Sequence, residues 1–223
     1  MRKNRSTKLQ KLIGQGKWNE VNDLIKTGPD QLVVVGSSLQ TLPVHEAVRK
    51  GAPLKIVKRM VQAAPPDALR HTDSLGRTAL HHTLLAEPRT LAMIGGLVDY
   101  LLSCDSSTSM VRDADGNLPL HLACGYGAGV GVVESLVEAY PDGVLERNGN
   151  GNIPSHLGYY GRTQDACRAH MSVLYWIETN YPATKVGKKR RKELLRPRPF
   201  EEKTVGEKIL RFLPRLGDGA LIL

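Results

Sequence analysis

A histidine and a cysteine three residues apart, His121 and Cys124, lie in the apolar stretch "LPLHLAC" and could act as metal ligands or as a base and a nucleophile. A cysteine nucleophile requires exposure and a neighbouring group that stabilises its thiolate. An apolar helix face provides neither. We therefore interpret Cys124 as a buried side chain that packs as a small apolar group.

The stretch is one of four related segments. Their sequences are "LPVHEAV", "TALHHTL", "LPLHLAC" and "IPSHLGY", and their shared histidines are His45, His81, His121 and His156. These histidines are 36, 40 and 35 residues apart, which indicates an internal repeat. Zinc needs ligands about 2 Å from one centre, whereas stacked units separate equivalent residues by about 10 Å. We therefore expect these histidines to make structural hydrogen bonds, and we expect no cofactor. The alternative is a metal site formed by His82 with His71 or His170.

The surroundings of the motif repeat as well. Turn residues precede three of the copies, in "DSLGRT", "DADGNL" and "NGNGNI", and predict a hairpin-like tip before each. Apolar segments with helical character follow the four copies at 54–64, 90–102, 130–140 and 167–181. Each unit therefore reads as a turn, a short helix and a longer helix.

These motifs and their spacing resemble those of ankyrin repeats, whose signature is T-P-L-H-x-A. The resemblance implies an all-α ankyrin-repeat solenoid of stacked helix-turn-helix units with hairpin-like tips. It also implies that Pro43, Pro119 and Pro154 begin the first helices, where a missing N–H has no cost. Only Thr78 keeps the threonine of the signature, which caps the helix and shares a hydrogen bond with the histidine in the family.

The predicted units cover most of the chain. They are a degenerate N-terminal capping repeat at about 6–36 and repeats at about 37–72, 73–112, 113–147 and 148–182. The basic start "MRKNRSTKLQKLI" resembles a targeting presequence, but Leu9, Leu12 and Ile13 form the apolar face of a capping helix, which we prefer. No apolar run is long enough for a membrane span.

The net charge of +9 is unevenly distributed: +6 in residues 1–17, −4 in 18–182 and +7 in the basic tail 183–223. The tail contains a run that resembles a nuclear-import signal. Its residues are Lys188, Lys189, Arg190, Arg191 and Lys192. Apolar residues near 205–212 predict a short amphipathic helix that caps the last repeat, binds a partner groove or contacts an anionic membrane. Three widely spaced cysteines indicate a reducing compartment, and we expect a monomer in the cytoplasm or nucleus.

No arrangement of residues typical of catalysis recurs, so we do not expect an enzyme. The resemblance implies that a partner protein binds the concave face, through the tips and the ends of the first helices. The positions that match are Arg49, Lys50, Arg77, Asp115, Asn117, Tyr126, Asn150, Asn152 and Tyr160. Arg77, Tyr126 and Tyr160 are the strongest candidates, because tyrosine and arginine dominate interface energies; stacking between units is the alternative for the tyrosines.

A second hypothesis assigns binding to the basic ends, with the repeats as a spacer. The partner would then be a nucleic acid or another anionic surface. Phosphate binding by many cationic side chains weakens steeply with salt, which distinguishes the two hypotheses. The acidic body of the chain favours a protein partner.

Overall fold

The computed structural model describes residues 7–35, 40–86, 91–160 and Val173. Within these residues the chain forms α-helices and short 3-10 helices, with no strand. The α-helices are α1 (Lys8–Gly14), α2 (Trp18–Thr27), α3 (Pro43–Arg49), α4 (Leu54–Ala63), α5 (Ala79–Leu85), α6 (Leu91–Cys104), α7 (Pro119–Tyr126), α8 (Val130–Ala139) and α9 (Pro154–Tyr160). The 3-10 helices are η1 (Pro29–Val33), η2 (Pro66–Leu69), η3 (Ser106–Met110) and η4 (Pro141–Leu145).

The helices stack in two layers. Helices α1, α3, α5, α7 and α9 contact one another in order and form the first-helix layer. Helices α2, α4, α6 and α8 do the same and form the second-helix layer, and each packs on the first-layer helix that precedes it. The described chain is therefore an all-α repeat fold, as the motif spacing predicts.

The first helix begins the stack. Thr7 and Gln10 cap it reciprocally, because each side chain accepts a hydrogen bond from the backbone N–H of the other. Leu9, Leu12 and Ile13 are buried in the core, as the predicted capping helix requires. Their burial against α2 and α3 accounts for the apolar spacing of this segment.

The second helices follow the predicted segments closely. Within the predicted segment 130–140, Val132, Val133, Leu136 and Val137 of α8 are buried, whereas Val130 and Tyr140 are half-buried. The buried arc is wide because α8 contacts α6, α7 and two 3-10 helices. The predicted segment 167–181 lies outside the described residues except for Val173, which is helical and buried.

The first helices begin at the predicted positions. Pro43, Pro119 and Pro154 are each the first residue of a helix, where proline needs no backbone donor. The fourth, α5, begins at Ala79 after Thr78, whose hydroxyl lies 2.9 Å from His81 Nδ1.

The hairpin-like tips that precede these helices are held by one acceptor side chain each. In the tip after Arg112, Asp113 Oδ1 accepts the N–H groups of Asp115 and Asn117, and Gly116 closes the turn with φ +76°. Asp73 and Asn148 hold their tips in the same way. Glycine is required at the closing position because side chains rarely tolerate a positive φ.

Successive tips are also bonded to each other. The Ala114 N–H donates to Leu75 O, and the Gly149 N–H donates to Asp115 O, both at 2.8 Å. The tips of three repeats therefore form a continuous row in which each fixes the position of the next.

The motif histidines connect the helices to this row. The Leu118 N–H donates to His121 Nδ1 at 3.1 Å, so Nδ1 is unprotonated and Nε2 donates to Asn152 O in the next repeat at 3.0 Å. His81 makes the equivalent pair of bonds with Thr78 and Asn117. The predicted structural role is thus confirmed for these two histidines.

The junction between α3 and α5 differs in one respect. His45 accepts the Leu42 N–H, as His81 and His121 accept theirs, but its Nε2 donates to His71 O rather than to the carbonyl of Arg77. The carbonyl that accepts from His45 therefore precedes the next tip. The carbonyls that accept from His81 and His121 belong to Asn117 and Asn152, which follow the glycine of the tip.

We expect the replacement His121→Ala to destabilise the fold by about 2 to 4 kcal/mol, because it leaves a buried donor and a buried acceptor without their partner. Urea unfolding followed by circular dichroism measures the change. His71→Ala is the control, because the His71 ring is half-buried and its one described hydrogen bond reaches Gln40 O. Equal losses in the two variants would contradict a specific role for the motif histidine.

The same histidines should make stability depend on pH. Burial lowers the pKa of His45, His81 and His121 from 6.5 to about 4. The unfolded chain then binds more protons than the folded one between these values, so stability is complete above pH 6.5 and falls as the pH decreases towards 4. Each histidine contributes roughly 1.4 kcal/mol per pH unit within that window.

Urea unfolding at about pH 7, 6 and 5 tests this dependence. The variant His121→Ala should lose about a third of the slope, since one of the three titrating groups is gone. Asp73, whose pKa is about 2, acts only below this window. An unchanged free energy of unfolding from pH 7 to pH 5 would refute the assignment.

Candidate functional site

The residues that first indicated chemistry are buried inside the stack. Cys124 is 0% exposed, and burial raises the pKa of its thiol to about 12. It therefore remains a thiol at neutral pH and packs as a small apolar group, as predicted.

The alternative metal site around His82 has a different partner in the structure. His82 Nε2 lies 3.0 Å from Asp73 Oδ2, and both side chains are buried. Burial raises the pKa of Asp73, but the hydrogen bonds from His82 and from the N–H groups of Arg77 and Leu75 outweigh it and lower the pKa to about 2. In the described ranges no three histidine, cysteine or acidic side chains come together as metal ligands. His170 lies outside those ranges.

The structure brings three predicted binding residues together near the middle of the stack. Tyr126, at the end of α7, is 51% exposed, and its hydroxyl lies within the electrostatic range of Arg77, Asp113 and Asp115. Partial burial raises the pKa of Tyr126, Arg77 opposes the rise, and the two carboxylates add to it. We call Arg77, Asp115 and Tyr126 the central cluster.

Exposure differs within this cluster and around it. Asp115 is exposed at its tip, Arg77 is half-buried, and Leu75 is 39% exposed one tip earlier. Asp113 is buried and bonded to the tip backbone, so its carboxylate is occupied by the fold. The surface therefore combines an aromatic ring, an aliphatic side chain and two side chains of opposite charge that both act on Tyr126.

Asn117, which the sequence places among the binding residues, has a buried side chain. Its amide donates to Asp113 Oδ2 at 3.2 Å and accepts from Asn148 Nδ2 at 2.7 Å. Its carbonyl accepts from His81. The periodicity placed this residue at a tip correctly, but the neighbouring tip covers its side chain, so a partner does not reach it in this arrangement.

The remaining predicted residues lie towards the two ends of the layer. Arg49 and Lys50 are exposed at the end of α3, and Arg49 pairs with Glu46 at 2.5 Å. Asn150 is exposed, whereas Asn152 is half-buried and accepts from His121. Tyr160 is the last residue of α9, and its side chain lies outside the described part. The import-like cluster also lies outside it; its residues are Lys188, Lys189, Arg190, Arg191 and Lys192.

Sequence reasoning missed Arg112, which joins two repeats at the base of the tips. Its guanidinium donates to Gly116 O in its own tip and to Arg147 O in the next, both at 2.9 Å, and it also pairs with Glu146. Arg147 repeats the local bond by donating to Gly151 O. The signal was present in the sequence, because "RDADG" and "RNGNG" place arginine directly before the tip residue in both repeats.

A second surface feature lies away from these residues. A groove of about 480 Å³ separates α6 and α8 in the second-helix layer. Glycines line much of it, and Asp99, Glu134 and Glu138 make it acidic. None of the predicted binding residues lines this groove.

The geometry of the tips predicts opposite effects for two glycine-to-alanine replacements. A Cβ at Gly116 would lie 2.7 Å from Gly149 N at a φ of +76°, so Gly116→Ala should destabilise the fold by about 2 kcal/mol or more. A Cβ at Gly14, in α1, meets nothing within 4 Å. Gly14→Ala is the control and should stabilise by up to about 1 kcal/mol. Urea unfolding of both variants checks the prediction, which fails if Gly116→Ala is neutral.

Comparison with known proteins agrees with this geometry. A family model described as ankyrin repeats in three copies matches residues 44–146, which include three of the motif histidines and the central cluster. No curated protein was found to match the sequence. No helix in the described ranges is long and apolar enough to cross a membrane. The two-layer stack, the bonded tips and the family match together identify residues 44–146 of this chain as ankyrin repeats.

Proposed function

We propose that this chain is a non-catalytic scaffold or adaptor that binds a partner protein through the tips and the ends of the first helices. Ankyrin repeats generally mediate protein-protein interaction and are typically not enzymes. The binding face is the concave side in ankyrin arrays, and the central cluster would lie on it.

The exposed ring of Tyr126 is the observation that carries this proposal. A side chain of this size that is 51% exposed, beside the half-buried Arg77, has the composition of an interface hot spot. Leu75 adds an exposed aliphatic side chain on the neighbouring tip. The stacking alternative for Tyr126 is less favoured, because a ring that only joined repeats would be more completely buried.

The hydrogen-bonded tips support the proposal in a second way. Asp115 and Leu75 supply their own carbonyls to the adjacent tip, so their backbones are fixed before any partner arrives. A surface that is already ordered loses little conformational entropy on binding, which favours affinity. Asn117 and Asn152 would contribute by holding the tips, whereas Arg49, Lys50, Asn150 and Tyr160 would extend the contact area.

The surroundings of the repeats complete the proposal. Cys104 and Cys124 are free thiols, which supports a reducing compartment such as the cytoplasm or nucleus. We further propose that the chain is a monomer and that the basic run 188–192 acts as its import signal.

Replacement of the Tyr126 side chain by alanine tests the proposal. The full chain is used to recover partners from native lysate, and the affinity of the recovered protein is then measured for wild type and for Tyr126→Ala. We expect the variant to bind at least about fivefold more weakly, because truncating an interface tyrosine removes more than about 1 kcal/mol.

Met110→Ala is the matched control, because Met110 is equally exposed at 51% but belongs to η3, beside the second-helix layer. Its affinity should equal that of wild type. A folded Tyr126→Ala variant with full affinity would overturn the contact role. Recovery of nucleic acid whose binding falls by orders of magnitude between about 50 and about 200 mM salt would favour the basic ends instead.

A further inference from the structure

The first-helix layer changes character along the stack. Helices α5, α7 and α9 contain no aspartate, glutamate, lysine or arginine. Every helix of the second-helix layer carries at least one of these residues. The absence of charge is therefore specific to one layer and to its last three described helices.

Four described residues of these three helices are accessible to solvent. Leu85, Gly125 and Leu157 are half-buried, and Tyr126 is more than half exposed. Gly125 faces α9 closely, since a Cβ there would lie 3.5 Å from Leu157 Cβ. The described residues of α5, α7 and α9 that are not buried, Leu85, Gly125, Tyr126 and Leu157, therefore carry no formal charge.

The N-terminal end of the same layer is basic. Lys8 and Lys11 are exposed on α1, which has no acidic residue, and Lys50 is exposed at the end of α3. Among the described residues none of these three lysines makes an ion pair, whereas Arg49 is neutralised by Glu46. The layer is therefore positive at its N-terminal end and uncharged beyond it.

The charges at the tips do not change this polarity. Arg77 and Asp115 act on the same tyrosine and have opposite signs, and Asp113 is buried in the tip. Their effect on a partner is therefore local, while the lysines of the first two repeats determine the charge of one end.

Building on the proposed protein-binding function, we propose that the partner contributes a segment that is apolar where it covers α5, α7 and α9 and acidic at the end that lies against α1 and α3. An apolar segment matches Leu85, Tyr126 and Leu157, because a partner charge placed against these uncharged side chains would lose its water there. Carboxylates at the other end match the unpaired lysines. Exposed ion pairs contribute little affinity, so they set the direction of the segment more than the strength of binding.

A peptide library displayed on phage provides the test, with the immobilised full chain as bait. Enriched peptides should combine aromatic or aliphatic residues with aspartate or glutamate towards one end. The tightest peptide is then synthesised and its affinity measured by fluorescence polarisation for wild type and variants. Tyr126→Ser should weaken binding by about fivefold or more.

Charge reversal at Lys50 tests the direction of the segment. Lys50→Glu should weaken the acidic peptide by about two- to fivefold, and a peptide with lysine in place of its acidic residues should regain that loss on this variant. Lys55→Glu is the matched control, because Lys55 is exposed on α4 in the second-helix layer, and it should change nothing.

The outcomes separate this inference from the function on which it rests. The charge assignment is overturned, and protein binding is not, if the enriched peptides need Tyr126 for binding but lack acidic residues. The same holds if Lys50→Glu leaves their affinity unchanged. Failure to enrich any peptide that depends on Tyr126 overturns both. Enrichment of basic peptides likewise contradicts the proposal.

Discussion

The neutral imidazoles of His81 and His121 form the interaction on which the described stack depends. Nδ1 accepts the N–H that precedes its own helix, and Nε2 donates to a carbonyl of the next repeat, as seen for His81 and His121. One ring therefore caps the start of its own helix and holds the next repeat at a fixed distance. Burial favours the neutral imidazole, and the two hydrogen bonds select the tautomer that carries its proton on Nε2. A leucine can replace threonine before the helix for this reason, since the histidine supplies the cap.

The rigidity of the tips follows from this connection. His121 binds the carbonyl of Asn152, and Asn148 in the same tip accepts two backbone N–H groups and donates its amide to Asn117. Buried polar groups of this kind are stabilising only when all of them are satisfied. The network therefore leaves little freedom for the tips to move independently, and the exposed side chains that they carry keep a fixed arrangement.

The distribution of charge separates the two layers. Arg112 and Glu146 pair at the base of the tips, and the second-helix layer carries charges along its exposed side, as Asp99 and Glu134 do beside the groove. The first-helix layer keeps its last three described helices free of charge. A repeat protein needs polar residues for solubility on some exposed surface, and here the second-helix layer supplies them. The proposed apolar partner segment would meet least desolvation cost against the uncharged side chains of these three helices.

The sequence alone determined the repeat, the helix starts and the buried status of Cys124. These features follow from local rules: prolines begin helices, glycines close turns, and apolar residues recur at helical spacing. The family resemblance also placed Tyr126 at the end of a first helix, but it left exposure and stacking between units as alternatives, and the structure shows the residue 51% exposed. Only the tertiary structure decided that Asn117 is covered by the next tip and that Arg112 bridges two repeats. These outcomes depend on the distance between repeats. A periodic sequence shows which positions are equivalent, but it does not show which residues of the neighbouring repeat contact each position.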